Sequence, residues 1–409
     1  MAKKKNAQEP CLRGVVERIA SNGCGVVRCG TEKLFVHGTI PGETIICAKD
    51  PHSKFSGTLV DLCTVSPDRV DSVCPYYGVC GGCSLRHLEY SAQLRQKTAI
   101  VRDSFFHVGG LRDIPEITVF TSAPDGYRDR AQLHRAPPRP VPRGRLLRTA
   151  SMPGQEFGFM GRDSNTVIPV TDCLVLNDTV RTALQKGAFT PPLDKDRFKI
   201  YGREGVLLCE GGISRRRFVF HSGKIAAALT VDAGLFFQSN GALFEQLAGR
   251  LLEFAAGVSG QNAGDFYAGS GAFSVFLRHR FSHISLLEKN RAALALAREN
   301  LCGKPEGRFN FYPLTDSQWV KLYGTKSSAF DFLCLDPGRQ GISPLMRRWL
   351  CEHPPALLAY VSCEPSSLAR DARQFAASGL HLTALELFDF YPQTPRIEML
   401  AIFIPPPVR

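Results

Sequence analysis

Cys363 stands where a strand and a helix are predicted to meet. It follows the apolar run "ALLAYVS" and precedes "EPSSLARD", which has a helix-like pattern. A cysteine in this place is either packed in the core as a small hydrophobe or held over a cleft as a nucleophile. The choice depends on which other groups the fold brings to the same place.

Three further cysteines have the spacing of metal ligands. Cys74, Cys80 and Cys83 are spaced C-x5-C-x2-C, and the two glycines between the second and third let the backbone fold around a ligand. Thiolates at such spacing hold zinc or an iron–sulfur cluster, and both usually take four ligands. Cys173 is the best candidate for the fourth ligand, because the pattern becomes loop-like after it. At this point zinc and iron–sulfur both remain open.

A methyl-donor site is predicted in the C-terminal half. The segment "NAGDFYAGSGAFSVFLRHRFSHISLLEKNRAALALARENL" has the order strand, glycine turn, helix, strand, helix. Asp265 ends the first strand, Gly269 and Gly271 form the turn, and Glu288 ends the second strand. Such an acid accepts hydrogen bonds from ribose hydroxyls. Ser274 stands where a dinucleotide-binding fold has its third small residue, so the pattern favours S-adenosylmethionine over NAD.

Two more strands are predicted to end at the same crevice. "SSAFDFLCLDPGRQG" contains a buried strand that ends in Asp336, and the next strand ends at Cys363. Strand ends along one edge of an open α/β sheet converge on the ligand crevice. We therefore expect Cys363 to lie beside the methyl donor, where it would act as a nucleophile.

Together these motifs resemble the RNA uracil-C5 methyltransferase family, specifically its 23S rRNA type. The resemblance covers nearly the whole chain. It rests on "CPYYGVCGGCSLRHL", on F-x-Q-x-N at 236–240, on D-P-x-R-x-G at 336–341 and on the cysteine–x–proline at 363–365. It implies an S-adenosylmethionine-dependent enzyme with a 4Fe-4S cluster. The cluster ligands that it implies are Cys74, Cys80, Cys83 and Cys173.

The resemblance also implies the roles of the site residues. Cys363 would add to C6 of uracil, and Glu398, in "IEMLAIF", would remove the C5 proton. Gln238 would contact the methionine end of the donor, while Asn240 nearby is also suited to cap a helix. The donor-binding residues that the resemblance and the crevice motif predict are Gln238, Tyr267, Gly269, Glu288 and Asp336.

The chain departs from the family pattern at four positions. Arg86 replaces a glutamine in the cysteine motif, and Gln393 and Arg396 replace two histidines in the terminal hairpin. Glu364 replaces an asparagine directly after Cys363. A carboxylate there would raise the pKa of the thiol unless its side chain points away.

The predicted fold class is α/β and β, with three domains. Residues 10–66 contain five short strands at hairpin spacing, which predicts an OB-like β-barrel that resembles the RNA-binding TRAM domain. Residues 67–228 form a mostly β central domain with the cysteine cluster. Residues 229–409 form a Rossmann-like methyltransferase domain, on which a helix near 90–108 is expected to pack.

Charge and composition predict an RNA partner. The net charge is +12, with basic clusters at the N-terminus, at 135–148 and at 214–218. Arg128 and Arg130 alternate on a predicted strand and would contact phosphates. We expect ribosomal RNA, because a barrel plus a cysteine cluster is typical of that branch of the family.

The protein is expected to be a cytoplasmic monomer without membrane attachment. No apolar run follows the basic N-terminus or is long enough to span a bilayer. The 14 cysteines are therefore not expected to form disulfides. Cys209 and Cys334, which lie in apolar runs, are predicted core residues.

Two alternatives remain at this stage. An RNA cytosine-C5 methyltransferase uses similar chemistry but typically has two cysteines in its pocket. In this chain only Cys363 is predicted to lie at the crevice. A non-catalytic RNA-binding factor that retains the fold would account for the departures at Glu364 and in the terminal hairpin. The presence of both Cys363 and Glu398 argues against it.

Overall fold

The chain forms two compact units. The structure is a computed structural model, and it describes residues 11–135, 157–162, 166–301, 309–325 and 330–406. The predicted lysine cluster at the N-terminus and the basic loop after Arg135 lie outside the described residues. One unit comprises Met1–Ile100, Met160–Ile168 and Tyr391–Arg396; the other comprises Val101–Phe159, Pro169–Phe390 and Ile397–Arg409. The three-domain division stays a prediction. None of the described helices is long and apolar enough to cross a bilayer.

The first unit contains a closed five-stranded barrel, as predicted. Its strands alternate between inward apolar and outward polar side chains, so the inner faces form an apolar core that includes Cys29 and Cys47. The strand order is β1-β2-β3-β5-β4, and β1 closes the barrel by pairing with β4. The strands, and the helix that follows them into the second unit, are β1 (Cys11–Ile19), β2 (Gly25–Cys29), β3 (Glu32–Val36), β4 (Thr44–Lys49), β5 (Ser56–Leu62) and α1 (Tyr90–His107).

The middle of the chain is mostly β, also as predicted. Its elements, together with the strand that precedes it, are β6 (Ile117–Phe120), β7 (Arg130–Arg135), β8 (Phe157–Met160), β9 (Val167–Pro169), α2 (Asp178–Lys186), β10 (Arg197–Arg203), β11 (Val206–Cys209), β12 (Arg215–Ser222) and β13 (Ile225–Asp232). They form a sheet of order β11-β10-β7-β8-β9 and a separate β12–β13 hairpin.

Helix α2 interrupts the strands of this region, and the sequence analysis did not predict it. The Asn177 side chain caps the helix by accepting a hydrogen bond from the Val180 amide. Val180, Ala183 and Leu184 recur at helical spacing and form its buried face. These signals were present in the sequence but were outweighed by the strand pattern around them.

The C-terminal half forms an eight-stranded sheet with helices, which confirms the predicted methyltransferase fold. The sheet order is β16-β15-β14-β17-β18-β20-β19-β6, and β14 to β18 are parallel to one another. Asn240 caps the first helix by accepting from the Leu243 amide, as predicted. The elements are α3 (Gly241–Ala256), β14 (Asn262–Phe266), α4 (Ser274–Leu277), β15 (His283–Leu287), α5 (Arg291–Leu301), β16 (Phe309–Tyr312), α6 (Asp316–Tyr323), β17 (Phe332–Leu335), α7 (Pro344–Glu352), β18 (Leu357–Ser362), α8 (Pro365–Ala377), β19 (His381–Phe388) and β20 (Glu398–Ile404).

Candidate active site

The order of the eight-stranded sheet reverses at β14. The chain runs outward from β14 through β15 and β16, then returns to β17 and β18 on the other side. The carboxyl ends of strands at such a reversal border the crevice in which open α/β sheets bind ligands. Four predicted residues stand at these strand ends: Asp265, Glu288, Asp336 and Cys363.

Glu398 reaches the same edge because its strand runs in the opposite direction. β20 is antiparallel to β18, with Ser362 paired to Met399, so the start of β20 lies at the end of β18. β20 is an interior strand that also pairs with β19, which confirms the predicted terminal hairpin. Glu398 is only 5% exposed, so this acid is buried and does not lie on a polar edge.

The charges around Cys363 act mainly against its ionisation. Burial, followed by the charges of Glu398 and Asp336, raises the pKa of the Cys363 thiol to about 12, while the Arg339 guanidinium opposes the shift. Burial and the Asp336 charge raise the pKa of Glu398 well above its usual range. A positive charge in the crevice would favour the ionised form of each of these groups.

The Glu364 carboxylate is not one of the charges that shift the pKa of Cys363. It is half-buried, precedes α8 as its N-cap residue, and accepts a hydrogen bond from Ser366 Oγ at 2.8 Å. The acids that raise the pKa of the thiol are instead Glu398 and Asp336. The pKa of Cys363 is therefore raised by acids other than the one that departs from the family pattern.

The glycine turn after β14 is shaped for close approach of a ligand. Gly269 and Gly271 have φ angles of 54° and 75°, and Tyr267 adopts 64° despite its side chain. A Cβ on Gly269 would meet nothing within 4 Å, whereas one on Gly271 would lie 3.1 Å from Ala297 Cβ. The Gly269 amide donates to Glu288 Oε2 at 3.0 Å, which fixes this predicted ribose-binding carboxylate at the turn.

Asp265 lies beneath this turn with one unpaired oxygen. Its Oδ2 accepts from Ser274 Oγ at 2.5 Å, while Oδ1 has no hydrogen-bond partner in the described part of the chain. Burial raises the pKa of Asp265 to about 7. Ser274 stands where a dinucleotide-binding motif has its third small residue. Its hydroxyl thus binds the buried carboxyl of Asp265.

Gln238 is held in place through Asp129, a residue that the sequence analysis missed. Asp129 donates its amide to Ser239 O at 2.8 Å and accepts from the Gly241 amide at 2.9 Å. Its second carboxylate oxygen accepts from Asn177 Nδ2 at 2.8 Å. Asp129 therefore clamps the backbone on both sides of Asn240, next to the buried Gln238 side chain. It lies in "GYRDRAQLHR", between Arg128 and Arg130.

Asp316 is a second residue that was missed. It follows β16, as Glu288 follows β15, so the same strand-end rule would have identified it. Its Oδ2 accepts from Tyr267 OH at 2.6 Å and from the Ser343 amide at 2.8 Å. This carboxylate joins the glycine turn to the loop after β17.

The two arginines predicted to contact phosphate have partners within the protein. Arg128 Nε donates to Arg130 O at 2.9 Å. Arg130 Nη2 donates to Leu235 O at 2.6 Å, close to the segment that carries Gln238. The phosphate role of these arginines stays a prediction, and the observed hydrogen bonds are structural.

The four predicted cluster ligands are all thiols, and they belong to different units. Cys74, Cys80 and Cys83 are half-buried in the first unit, and the Gly82 amide donates to Cys80 Sγ at 3.4 Å. Cys173 lies in the second unit, shortly before α2. Across the described ranges, no three His, Cys, Asp or Glu side chains are grouped so that they could hold a metal ion. The two predicted core cysteines, Cys209 and Cys334, are buried as expected.

The sheet order and the crevice at its strand ends are those of the methyltransferase fold. The chain superposes on the crystal structure of the Pyrococcus abyssi tRNA (uracil-54, C5)-methyltransferase in complex with S-adenosyl-L-homocysteine with a TM-score of 0.67. The match covers 96% of this chain and 100% of that chain at 20% identity, so it shows the fold. No protein-family model matches.

The chain belongs to a family of RNA methyltransferases. It is 30% identical over 405 residues to an uncharacterized RNA methyltransferase of Treponema denticola, covering 90% of this chain and 93% of the relative. It is 27% identical over 440 residues to the 23S rRNA (uracil(1939)-C(5))-methyltransferase RlmD of Alkalilimnicola ehrlichii, with 94% of each covered. The RlmD of Vibrio parahaemolyticus is 26% identical over 428 residues, covering 95% of this chain and 94% of the relative.

Proposed function

We propose that this protein methylates C5 of a uridine in 23S rRNA, with Cys363 as the nucleophile and Glu398 as the base. The observation that carries the proposal is the antiparallel pairing of β18 with β20. It sets a thiol and a carboxyl at one crevice, at the carboxyl edge of a methyltransferase sheet. The names of the RlmD relatives support 23S rRNA as the substrate.

The reaction needs both groups because uracil C5 is a weak nucleophile. Cys363 Sγ forms a bond to C6, and the displaced electron pair gives an enolate with carbanion character at C5. S-adenosylmethionine would supply an electrophilic methyl group, which C5 takes as the sulfur–methyl bond breaks and S-adenosylhomocysteine leaves. Glu398 takes the C5 proton, and the electrons of that C–H bond restore the C5–C6 double bond as the Cys363 thiolate leaves.

The crevice suits a cationic donor. The acids that border it include Asp265, whose Oδ1 is unpaired, and Glu288, which the turn amide holds in place. Gln238, Tyr267, Gly269, Glu288 and Asp336 would bind the donor. The sulfonium charge of a bound donor would favour the ionised forms of Cys363 and Glu398, so donor binding would help to activate the thiol.

Nucleoside mass spectrometry tests the proposal. Unmodified 23S rRNA and S-adenosylmethionine are incubated with the native protein, Cys363→Ala or, as a matched control, Cys351→Ala from α7. We expect 5-methyluridine with the native and Cys351→Ala proteins and none with Cys363→Ala. Glu398→Gln should slow release and accumulate a covalent protein–RNA adduct on a denaturing gel.

Other outcomes would select a different function. Methylcytidine would identify an RNA cytosine-C5 methyltransferase. Methyluridine in tRNA alone would keep the chemistry but contradict the ribosomal substrate. Bound RNA with no new methylated nucleoside in either RNA would identify a non-catalytic binding factor.

We also propose that Cys74, Cys80, Cys83 and Cys173 hold a 4Fe-4S cluster, based on their spacing and the family resemblance. Protein purified without oxygen should contain iron and acid-labile sulfide. Each of the four Cys→Ser changes should lower both contents, whereas Cys63→Ser, at an exposed cysteine of the same unit, should not. Zinc in place of iron would contradict the cluster, and absence of both metals would contradict the ligand set.

A further inference from the structure

A fully buried carboxylate of α8 lies behind the loop that follows β17. Asp371 is 0% exposed. Its Oδ1 accepts hydrogen bonds from Arg347 Nη1 at 2.7 Å and from Arg370 Nε at 2.9 Å. Its Oδ2 accepts from Tyr360 OH at 2.8 Å and from the Ile342 amide at 3.4 Å. One side chain thus joins α7, α8, β18 and the loop after β17.

The loop that these bonds hold carries Arg339. We call residues 338–342 the Arg339 loop. Besides the bond at Ile342, the loop is held at Gln340, whose carbonyl oxygen accepts from Arg370 Nη2 at 2.9 Å. The Arg339 side chain is exposed, so the backbone of the loop decides where its charge lies.

Gly341 packs directly against the side chains that hold the loop. Its φ is 72°, and its amide donates to Gly338 O at 2.9 Å, which closes a turn around Arg339. A Cβ on Gly341 would lie 2.7 Å from Arg370 Nη2 and 2.7 Å from Asp371 Oδ2. The loop therefore fits closely against the buried carboxylate, with no room for a side chain between them.

The same carboxylate also holds the strand that ends at the proposed nucleophile. Tyr360 lies in β18, three residues before Cys363, and donates to Asp371. The Ile342 amide of the Arg339 loop donates to Tyr360 OH as well, at 3.3 Å. The strand and the loop are thus joined through Asp371, and this junction sets how the guanidinium lies relative to the thiol.

The position of the Arg339 charge has a chemical consequence for the thiol. Glu398 and Asp336 oppose ionisation of Cys363, whereas Arg339 favours it. Asp336 is held separately, because its amide donates to Phe266 O of the sheet at 3.2 Å. Since the interaction between two charges weakens with distance, a displaced loop would weaken the favourable charge and leave the opposing acids in place.

We propose that Asp371 is a positioning residue, which holds the guanidinium of Arg339 at a fixed place beside the thiol of Cys363. Asp371 acts through the loop and through β18, since it is fully buried behind them. The inference rests on the proposed function only in taking Cys363 as the nucleophile. The reactivity of this thiol can be measured without RNA.

Alkylation of Cys363 by iodoacetamide in the full-length protein tests the positioning. Tyr360→Phe removes the hydroxyl that links β18 to Asp371 but keeps the buried ring, and Asp371→Asn removes the charge but keeps one acceptor oxygen. We expect each change to lower the alkylation rate about threefold between about pH 7 and pH 9, which corresponds to a thiol pKa higher by about 0.5.

Asp331→Asn provides a matched control. Asp331 is half-buried before β17 and accepts from the Asn262 amide at 2.8 Å, beside the amino end of β14 and away from the Arg339 loop. Its replacement should lower the melting temperature and leave the alkylation rate unchanged. Tyr360→Phe keeps the test conclusive if Asp371→Asn does not fold, because a buried cation that loses its counter-charge is strongly destabilising.

A double-mutant cycle separates positioning from a loss of stability. If Asp371 acts through Arg339, Tyr360→Phe should have no further effect on alkylation in a protein that already carries Arg339→Gln. An equal decrease with and without Arg339 would overturn the proposal. So would an unchanged or raised alkylation rate in folded Tyr360→Phe and Asp371→Asn.

Methylation assays keep this test distinct from that of the proposed function. In the two variants, kcat for RNA methylation should fall by about the same factor as the alkylation rate. If the native protein methylates no RNA but the variants slow alkylation through Arg339, the proposed function fails and the positioning role stands. If the native protein methylates RNA and the variants are alkylated at the native rate, the positioning role fails and the proposed function stands.

Discussion

The reactivity of Cys363 depends on groups that are distant from it in sequence. Burial and the acids Glu398 and Asp336 keep the thiol protonated, and the opposing cation is Arg339. Arg339 lies in the loop after β17, in the D-P-x-R-x-G motif. Arg339, a residue of this family motif, therefore lowers the pKa of the Cys363 thiol.

Alkylation of Cys363 in the donor-free protein should rise with pH. The thiolate is the reactive form, and its fraction grows about tenfold per pH unit below the pKa, which is about 12 here. The rate of modification by iodoacetamide, followed on the Cys363 peptide by mass spectrometry, should therefore climb from pH 7 to pH 9 without a plateau. A plateau in this range would contradict the raised pKa.

Removing Arg339 should slow this alkylation further. Arg339→Gln removes the charge that lowers the pKa of Cys363, so less thiolate is present at each pH. Arg348→Gln provides the control, because this exposed arginine of α7 does not act on the thiol. Equal rates in the two variants would show that Arg339 does not act on the thiol.

At the level of secondary structure, the site depends on carboxylates that bind the ends of helices and strands. Asp129, at the start of β7, binds the backbone on both sides of the α3 cap. Asp316, at the start of α6, joins the glycine turn to the loop after β17. Both carboxylates act on segments that carry predicted donor-binding residues.

Asp129→Ala should destabilise the protein and weaken donor binding. It removes the acceptors of the Gly241 amide and of one Asn177 hydrogen bond, and each lost partner of a buried group costs about 1 to 3 kcal/mol. The melting temperature should fall, and Kd for S-adenosylhomocysteine should rise about tenfold as the Gln238 segment loosens. Glu204→Ala, at an exposed acid, serves as the control.

Asp129→Asn removes the charge but keeps one of the two acceptor oxygens. Burial raises the pKa of Asp129 to about 6, above its usual value near 4, so its ionised form reduces stability as pH rises through that interval. The amide variant lacks this dependence and should lose less stability at pH 7.5 than Asp129→Ala. If Asp129→Ala lowers the melting temperature but leaves the affinity for S-adenosylhomocysteine unchanged, the role of Asp129 is structural only.

Across the whole molecule, the net charge of +12 implies that RNA binding releases counterions. RNA affinity should fall about ten- to hundredfold between roughly 50 and 200 mM salt, as for a few phosphate contacts on a single strand. Fluorescence anisotropy at several salt concentrations measures the slope. S-adenosylhomocysteine affinity in the same buffers is the control, and a flat RNA profile would contradict an electrostatic contribution.

Local patterns in the sequence were sufficient to predict the barrel, the methyltransferase sheet and the strand-end residues. The alternation in β1 to β5 and the strand–glycine–helix order around Gly269 depend on neighbours a few residues apart, so they are visible without coordinates. The same rule would have identified Asp316. Helix α2 was missed although its Asn177 cap and apolar spacing were present in the sequence.

Only the tertiary structure decided how distant segments combine. That Glu398 is buried at the crevice follows from β20 entering the sheet antiparallel between β18 and β19, which the strand's own residues do not specify. The clamp from Asp129 to the α3 cap spans more than 100 residues of sequence. The raised pKa of Cys363 is the sum of burial and of charges from two segments that are distant in sequence, the loop after β17 and the start of β20. Sequence patterns record short-range periodicity, whereas pairing, burial and electrostatic fields depend on distances in space.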